Sequence, residues 1–177
     1  MRPFQPNPQQ LEALANGAVK LWMPLKGVRS TDKLQHMTTV LATFIDEEGN
    51  LVVKDVPLQP GESYFVQEEF IEDPSQIIYK ANFSKSNQDL EDWQPADQMI
   101  EAQSQYKLTV TDVEVKSVQD NYGNDKAELA GQSDNWLGYV DDKFEQRHDS
   151  QYSNQPYSSN PTGFLVTIER IEDAKEN

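Results

Sequence analysis

The run Tyr106–Asp120, YKLTVTDVEVKSVQD, constrains the fold more than any other stretch of the chain. Leu108, Val110, Val113, Val115 and Val118 are apolar, and Lys107, Asp112, Glu114 and Lys116 between them are charged. Such alternation marks a strand with one face against a core and the other in water. The alternation slips by one residue at Thr111-Asp112, which is the signature of a β-bulge. A polar, helix-capable stretch follows, and a second alternating run, Phe164–Ile171 (FLVTIERI), comes late in the chain. A strand, a helical excursion and a closing strand predict an α+β fold whose sheet is completed by its last strand.

At 177 residues the chain is the length of one ordinary domain, expected to span 1–177 and to bury a substantial core. Three Trp, seven Tyr and seven Phe argue against disorder. The absence of cysteine excludes disulfides, thiolate metal sites and a cysteine nucleophile. No run approaches the ~18 apolar residues of a membrane helix. The opening MRPFQPNPQQ has no apolar signal core, so a soluble cytoplasmic protein is expected.

The formal net charge is −15, and it is uneven. Residues 1–40 hold five basic and two acidic groups, whereas residues 41–104 hold three basic and fourteen acidic ones. Long-range repulsion disfavours non-specific contact with nucleic acid, so any polyanion contact falls to the N-terminal segment. An acidic surface also suits docking on a host nucleic-acid-binding protein.

Asn7 and Pro8 predict the start of a short helix over Gln9–Ala15, with Leu11, Leu14 and Ala15 on its apolar face and Asn16-Gly17 as its stop. Lys20–Lys26 is extended or irregular, because Pro24 cannot sit inside a helix. Strands are expected at Met37–Ile45, Leu51–Val56, Ser63–Phe70 and Ile77–Ala81, the first two joined by the Asp46–Asn50 loop. Residues 82–105 and 148–163 read as long irregular loops. Between them, Ala127–Leu129 has at most one helical turn, and Trp136–Gln146 reads as a helix with Leu137, Val140 and Phe144 on one face.

Taken in order, several segments resemble the ASCH family. They are Arg2-Pro3-Phe4 with the helix ending at Gly17, the turn and strand Gly61–Phe70 (GESYFVQEEF), Ile78-Tyr79-Lys80-Ala81, Trp93-Gln94-Pro95, Tyr106–Asp120 and Gly163–Glu172. The resemblance spans nearly the whole chain and is strongest to phage and prophage members. It implies a PUA-like mixed β-barrel with a short N-terminal helix, one or two helices inserted before the closing strand, and a cleft between the first helix and the sheet. It also implies binding of RNA or a modified nucleoside. Some family members are amidohydrolases that deacetylate N4-acetylcytidine with a lysine, a threonine and a glutamate. In Gly17–Pro24 (GAVKLWMP) the lysine falls one position late and no threonine follows, so binding without catalysis is expected. An enzyme would use Lys20 and Glu68.

Expected ligand contacts are Lys20, Trp22, Lys26, Glu68, Tyr79 and Trp93. Lys20 and Lys26 with Trp22 supply cations and an aromatic platform for a phosphate and a base. Alternation over Tyr64–Phe70 puts Glu68 on the face of Tyr64, Val66 and Phe70, where burial raises a carboxyl pKa unless a cation such as Lys20 or Lys26 pairs with it. Trp93 either stacks on a ligand or is pinned against the barrel. His36 and His148 lack the carboxylate spacing of a metal site, and no metal or cofactor is expected.

Overall fold

The structure, a computed structural model, describes residues 1–82, 92–120 and 140–171, with the side chains of 140–143 excepted. It is α+β: ten strands and two α-helices among the described residues. Five strands form one mixed sheet in the order β1 (Arg2–Phe4), β6 (Ser63–Val66), β9 (Lys107–Ser117), β10 (Thr162–Arg170) and β2 (Lys20–Pro24). A second sheet holds β3 (Lys33–Met37), β4 (Leu41–Ile45) and β5 (Leu51–Asp55), and a hairpin pairs β7 (Phe70–Asp73) with β8 (Gln76–Tyr79). The ring of hydrogen bonds expected of a barrel does not close: β1 and β2 are the edges of an open sheet.

The bulge falls where the alternation slips. Thr167 pairs with Asp112 and Ile168 with Val110, which leaves Thr111 as the extra residue. By absorbing one residue, the bulge keeps Leu108 and Val110 on the same side as Val113 and Val115. On β10 the side chains divide between two cores. Phe164, Val166 and Ile168 join the main core, with Phe4, Leu14, Leu21, Ala42, Phe44 and Tyr64. Leu165 faces the other way, into a second cluster with Trp22, Val118 and Phe144.

Helix α1 (Pro8–Ala15) begins with a capping box. Asn7 Oδ1 accepts from the Gln10 N–H at 2.9 Å, and Gln10 Oε1 accepts from the Asn7 N–H at 3.0 Å. Gln10, Ala13 and Leu14 are its buried residues; Ala15 is exposed, so the inward face lies one residue earlier than expected. The chain then turns at Gly17 with φ of +90°, a conformation that favours glycine.

Several expected boundaries move for local reasons. The expected Met37–Ile45 strand is shortened to β4, because the Thr38 hydroxyl accepts from the N–H groups of Val40 and Leu41 and makes a turn; Met37 instead ends β3, whose Lys33–His36 stretch was not expected. Ser63–Phe70 breaks at residues 67–69. The second helix, α2, is Val140–Gln151 and runs well into the expected 148–163 loop. Phe144, His148 and Tyr152 follow one another at i, i+4 and i+8, and their rings stack down one side of it. The helical readings at Ala127–Leu129, Trp136 and Leu137 lie outside the described residues. No described helix is long and apolar enough to cross a membrane.

The outer face of the three-stranded sheet stays open. Leu51 and Val53 are 67% and 53% exposed, while Ala42 and Phe44 on the inner face are buried.

Gly163 tests the closeness of β10 and β2. A Cβ there would stand 2.6 Å from Cζ2 of Trp22 and 2.8 Å from the Met23 carbonyl oxygen. The carbonyl belongs to a paired strand and cannot step aside. Gly163→Ala is therefore expected to lower unfolding stability by ~1–3 kcal/mol, read from the urea midpoint.

Candidate functional site

Glu68 lies in the three-residue break between β6 and β7, and each neighbour is tied to a different element. The Gln67 N–H donates to the Phe4 carbonyl of β1 at 2.8 Å, and Gln67 Nε2 donates to the Met99 carbonyl at 2.9 Å. The Glu69 carbonyl accepts from the Lys80 N–H at 2.9 Å. Clamped on both sides, the Glu68 side chain turns inward and is 3% exposed. Tyr64, Val66 and Phe70 are buried with it.

One carboxylate oxygen is satisfied. Gln105 Nε2 donates to Oε1 at 2.6 Å, and Asn82 Nδ2 reaches Gln105 Oε1 at 3.4 Å, which holds the amide in place. The backbone N–H of Ala81 also favours the charged form. Oε2 has no hydrogen-bond partner among the described residues. Burial dominates these contacts and pushes the Glu68 pKa up. No lysine appears among the described groups that act on it, so the ion pair to Lys20 or Lys26 is not what burial recruits here.

Tyr79 and Tyr106 flank the carboxyl. Burial raises both phenol pKa values, and the negative charge of Glu68 raises them further. The Tyr79 hydroxyl donates to the Gln103 carbonyl at 2.6 Å, and the Arg170 guanidinium stands 5.2 Å from the centroid of the Tyr106 ring. Trp93 is half-buried, because Phe70 and Gln94 form an antiparallel bridge that pins this segment to β7. Lys80 Nζ lies 5.9 Å from the Trp93 ring centroid and bonds Glu69 Oε2 at 2.6 Å. The elements thus gather a buried carboxyl, two phenols, an indole and two cations at one end of the large sheet.

The expected N-terminal contacts go elsewhere. Lys20 pairs opposite Thr167 on β2, three ladder steps from β6, or roughly 14 Å across the sheet. Trp22 is buried against Gly163 in the second cluster, so its ring faces are packed and offer no open platform. Lys26 lies exposed in the turn after β2. Lys20, Trp22, Gln9, Gln10, Ala13, Leu21 and Tyr152 line a depression with a cavity volume of about 10 Å3, the room of a single water. Of the six expected ligand contacts, Glu68, Tyr79 and Trp93 come together; Lys20, Trp22 and Lys26 do not join them.

Gln105, Tyr106 and Arg170 complete the site without having been expected. Gln105 is one amide in an amide-rich run, and Tyr106 and Arg170 end two alternating strands; none carries a pattern of its own. Among the described residues no group of His, Asp and Glu could hold a metal ion.

A buried carboxyl held mostly by neutral partners costs stability once it ionises. Its folded pKa lies above the unfolded value of 4.5, so its favourable contribution exists below pH 4.5 and is lost as pH rises through the folded pKa. Glu68→Gln keeps the shape and removes the charge. The variant is expected to be more stable than the parent at pH 7.5, by about 1 kcal/mol or more, with the gap shrinking towards pH 4.5 in urea titrations. The chain matches no protein-family model, no curated protein and no solved structure.

Proposed function

We propose that the chain is a PUA-like protein of the ASCH type, as found in phages and prophages, that binds a nucleoside-type ligand or RNA without catalysis, and that Glu68 reads the ligand. The observation that carries this reading is the open Oε2 of a carboxyl buried at a cost in stability. Groups kept against stability are a mark of binding and active sites. An acceptor oxygen walled by Tyr79 and Tyr106 suits the N–H edge of a base, and Trp93 at the rim suits a stacking contact, a contact type worth ~1–3 kcal/mol. Lys80 beside the Trp93 ring and Arg170 beside the Tyr106 ring supply positive charge suited to a phosphate.

The ordered family segments support the same reading. The five-stranded and three-stranded sheets share one core, which is how an opened pseudo-barrel is built. A catalytic version needs Lys20 within hydrogen-bond reach of the reacting group that Glu68 serves, and the two stand on opposite sides of β9 and β10. That separation favours binding over amidohydrolysis.

Tryptophan fluorescence during titration with cytidine, N4-acetylcytidine and short single-stranded RNA tests the proposal. Saturable quenching is expected, retained in Trp22→Phe and lost in Trp93→Phe. Glu68→Gln is expected to weaken binding at least tenfold, or about 1.4 kcal/mol. Flat titrations across the panel, or binding indifferent to Glu68→Gln, overturn it. Release of acetate from N4-acetylcytidine would restore the amidohydrolase reading.

A further inference from the structure

His148 is a second buried titratable group, on the opposite side of the large sheet, and nothing in the proposed binding site uses it. It sits two-thirds of the way along α2, 0% exposed, with the rings of Phe144, Tyr152 and Tyr157 at 6.2, 5.0 and 6.2 Å. Neither Nδ1 nor Nε2 has a hydrogen-bond partner among the described residues, and the same is true of the Trp22 indole N–H in the adjoining cluster. A purely structural ring at this place has no use for two polar atoms, because phenylalanine fills the same space without stranding them.

The segment that follows His148 ties three other elements together. The Tyr152 N–H donates to the His148 carbonyl at 2.8 Å, and the Tyr152 hydroxyl accepts from the side-chain amide of Asn7, the residue that caps α1. Gln155 Nε2 donates to the Leu25 carbonyl just past β2 at 2.7 Å. Gln119 Nε2, beyond β9, donates to the Tyr157 carbonyl at 3.0 Å. Tyr152 also lines the depression, together with Gln9, Lys20 and Trp22.

We propose that His148 is the trigger of a proton-operated latch: a proton taken up on the buried ring releases the 148–157 segment from α1 and β2 and opens the depression that Tyr152 lines. An imidazolium has two N–H donors and a full charge; among the described residues its Nε2 meets no hydrogen-bond acceptor, and the one carboxylate beside it, Asp149, stands beyond hydrogen-bond distance of Nδ1. The groups around the ring are few. On its own helix, Asp149 Oδ1 stands 3.6 Å from Nδ1, but that oxygen is already accepting from the Tyr157 N–H at 2.6 Å. Arg147 is turned to Glu12 of α1 at 2.8 Å. Tyr152, its phenol pushed up to about 12, is neutral. From β2, Lys20 lines the depression beside Tyr152; Leu165 of β10 and Val118 just past β9 belong to the adjoining apolar cluster. Burial outweighs the attraction of Asp149 and holds the His148 pKa below the ordinary 6.5.

The sign follows. The closed form keeps histidine neutral, while the released form regains a pKa near 6.5, so closure is complete above pH 6.5 and weakens as pH falls below it. One linked proton gives up to a tenfold rise in the opening constant per pH unit.

Amide hydrogen exchange at pH 7.5, 6.5 and 5.5, corrected for intrinsic chemistry, reads the latch at Tyr152. The opening constant is expected to rise less than about twofold from pH 7.5 to 6.5 and by up to about fivefold from 6.5 to 5.5. His148→Phe should abolish the rise, and His36→Gln, at the exposed second histidine of the chain, should leave it intact. An equal rise in His148→Phe overturns the proposal, as does its loss in His36→Gln. Should His148→Phe fail to fold, NMR titration of His148 in the parent decides: a folded pKa at or above 6.5 overturns the latch, and one below it supports it.

Discussion

Everything in the fold hangs on the pairing of β10 with both β9 and β2. β10 and β2 each feed both clusters: Phe164, Val166 and Ile168 of β10 with Leu21 of β2 enter the main core, and Leu165 with Trp22 the cluster under α2. Because alternation along a strand has period two, a one-residue slip of β10 would exchange the two sets and empty both cores. The bulge at Thr111 is the device that permits this register, since without the extra residue Val113 and Val115 could not face the same way as Leu108 and Val110. Gly163 marks how little room the arrangement leaves, with the Trp22 ring pressed over it.

On that frame Glu68 and His148, two of the buried titratable groups with unmet hydrogen-bonding capacity among the described residues, lie one on each side. Glu68 is held by its chain neighbours on either hand, so it cannot turn out to water when it ionises. His148 is held by its place on α2. Their physics is opposite in sign: the carboxyl weakens the native state as pH rises, and the imidazole weakens local closure as pH falls.

How much of this was legible varies with how far each residue's environment is set by its neighbours in sequence. The strands β9 and β10, the bulge, the capped α1 and the inward turn of Glu68 all follow from patterns within about fifteen residues, and all are found. Thr38 escaped because a single hydroxyl, not periodicity, splits β3 from β4. The late turns of α2 escaped because Ser, Asn and Tyr in 148–163 look like loop composition, although Phe144, His148 and Tyr152 have helical spacing. The site was half legible: Glu68, Tyr79 and Trp93 gather, but Gln105, Tyr106 and Arg170 arrive from other elements through the topology. Lys20 and Trp22 read as a ligand pair in sequence; in space β2 lies at the far edge of the sheet, and Trp22 is needed for packing.

The same topology orders events during synthesis. β2 ends at residue 24, and the strand it pairs with begins at residue 162. At ~5–20 residues per second, a ribosome leaves Leu21, Trp22 and Met23 without their ladder for roughly 7–30 s. Throughout that interval an apolar strand with unpaired backbone groups is available to any other nascent chain, which is the condition for misassembly between neighbours on one message. The folding of this protein is therefore governed less by how fast any element forms than by when its last strand emerges.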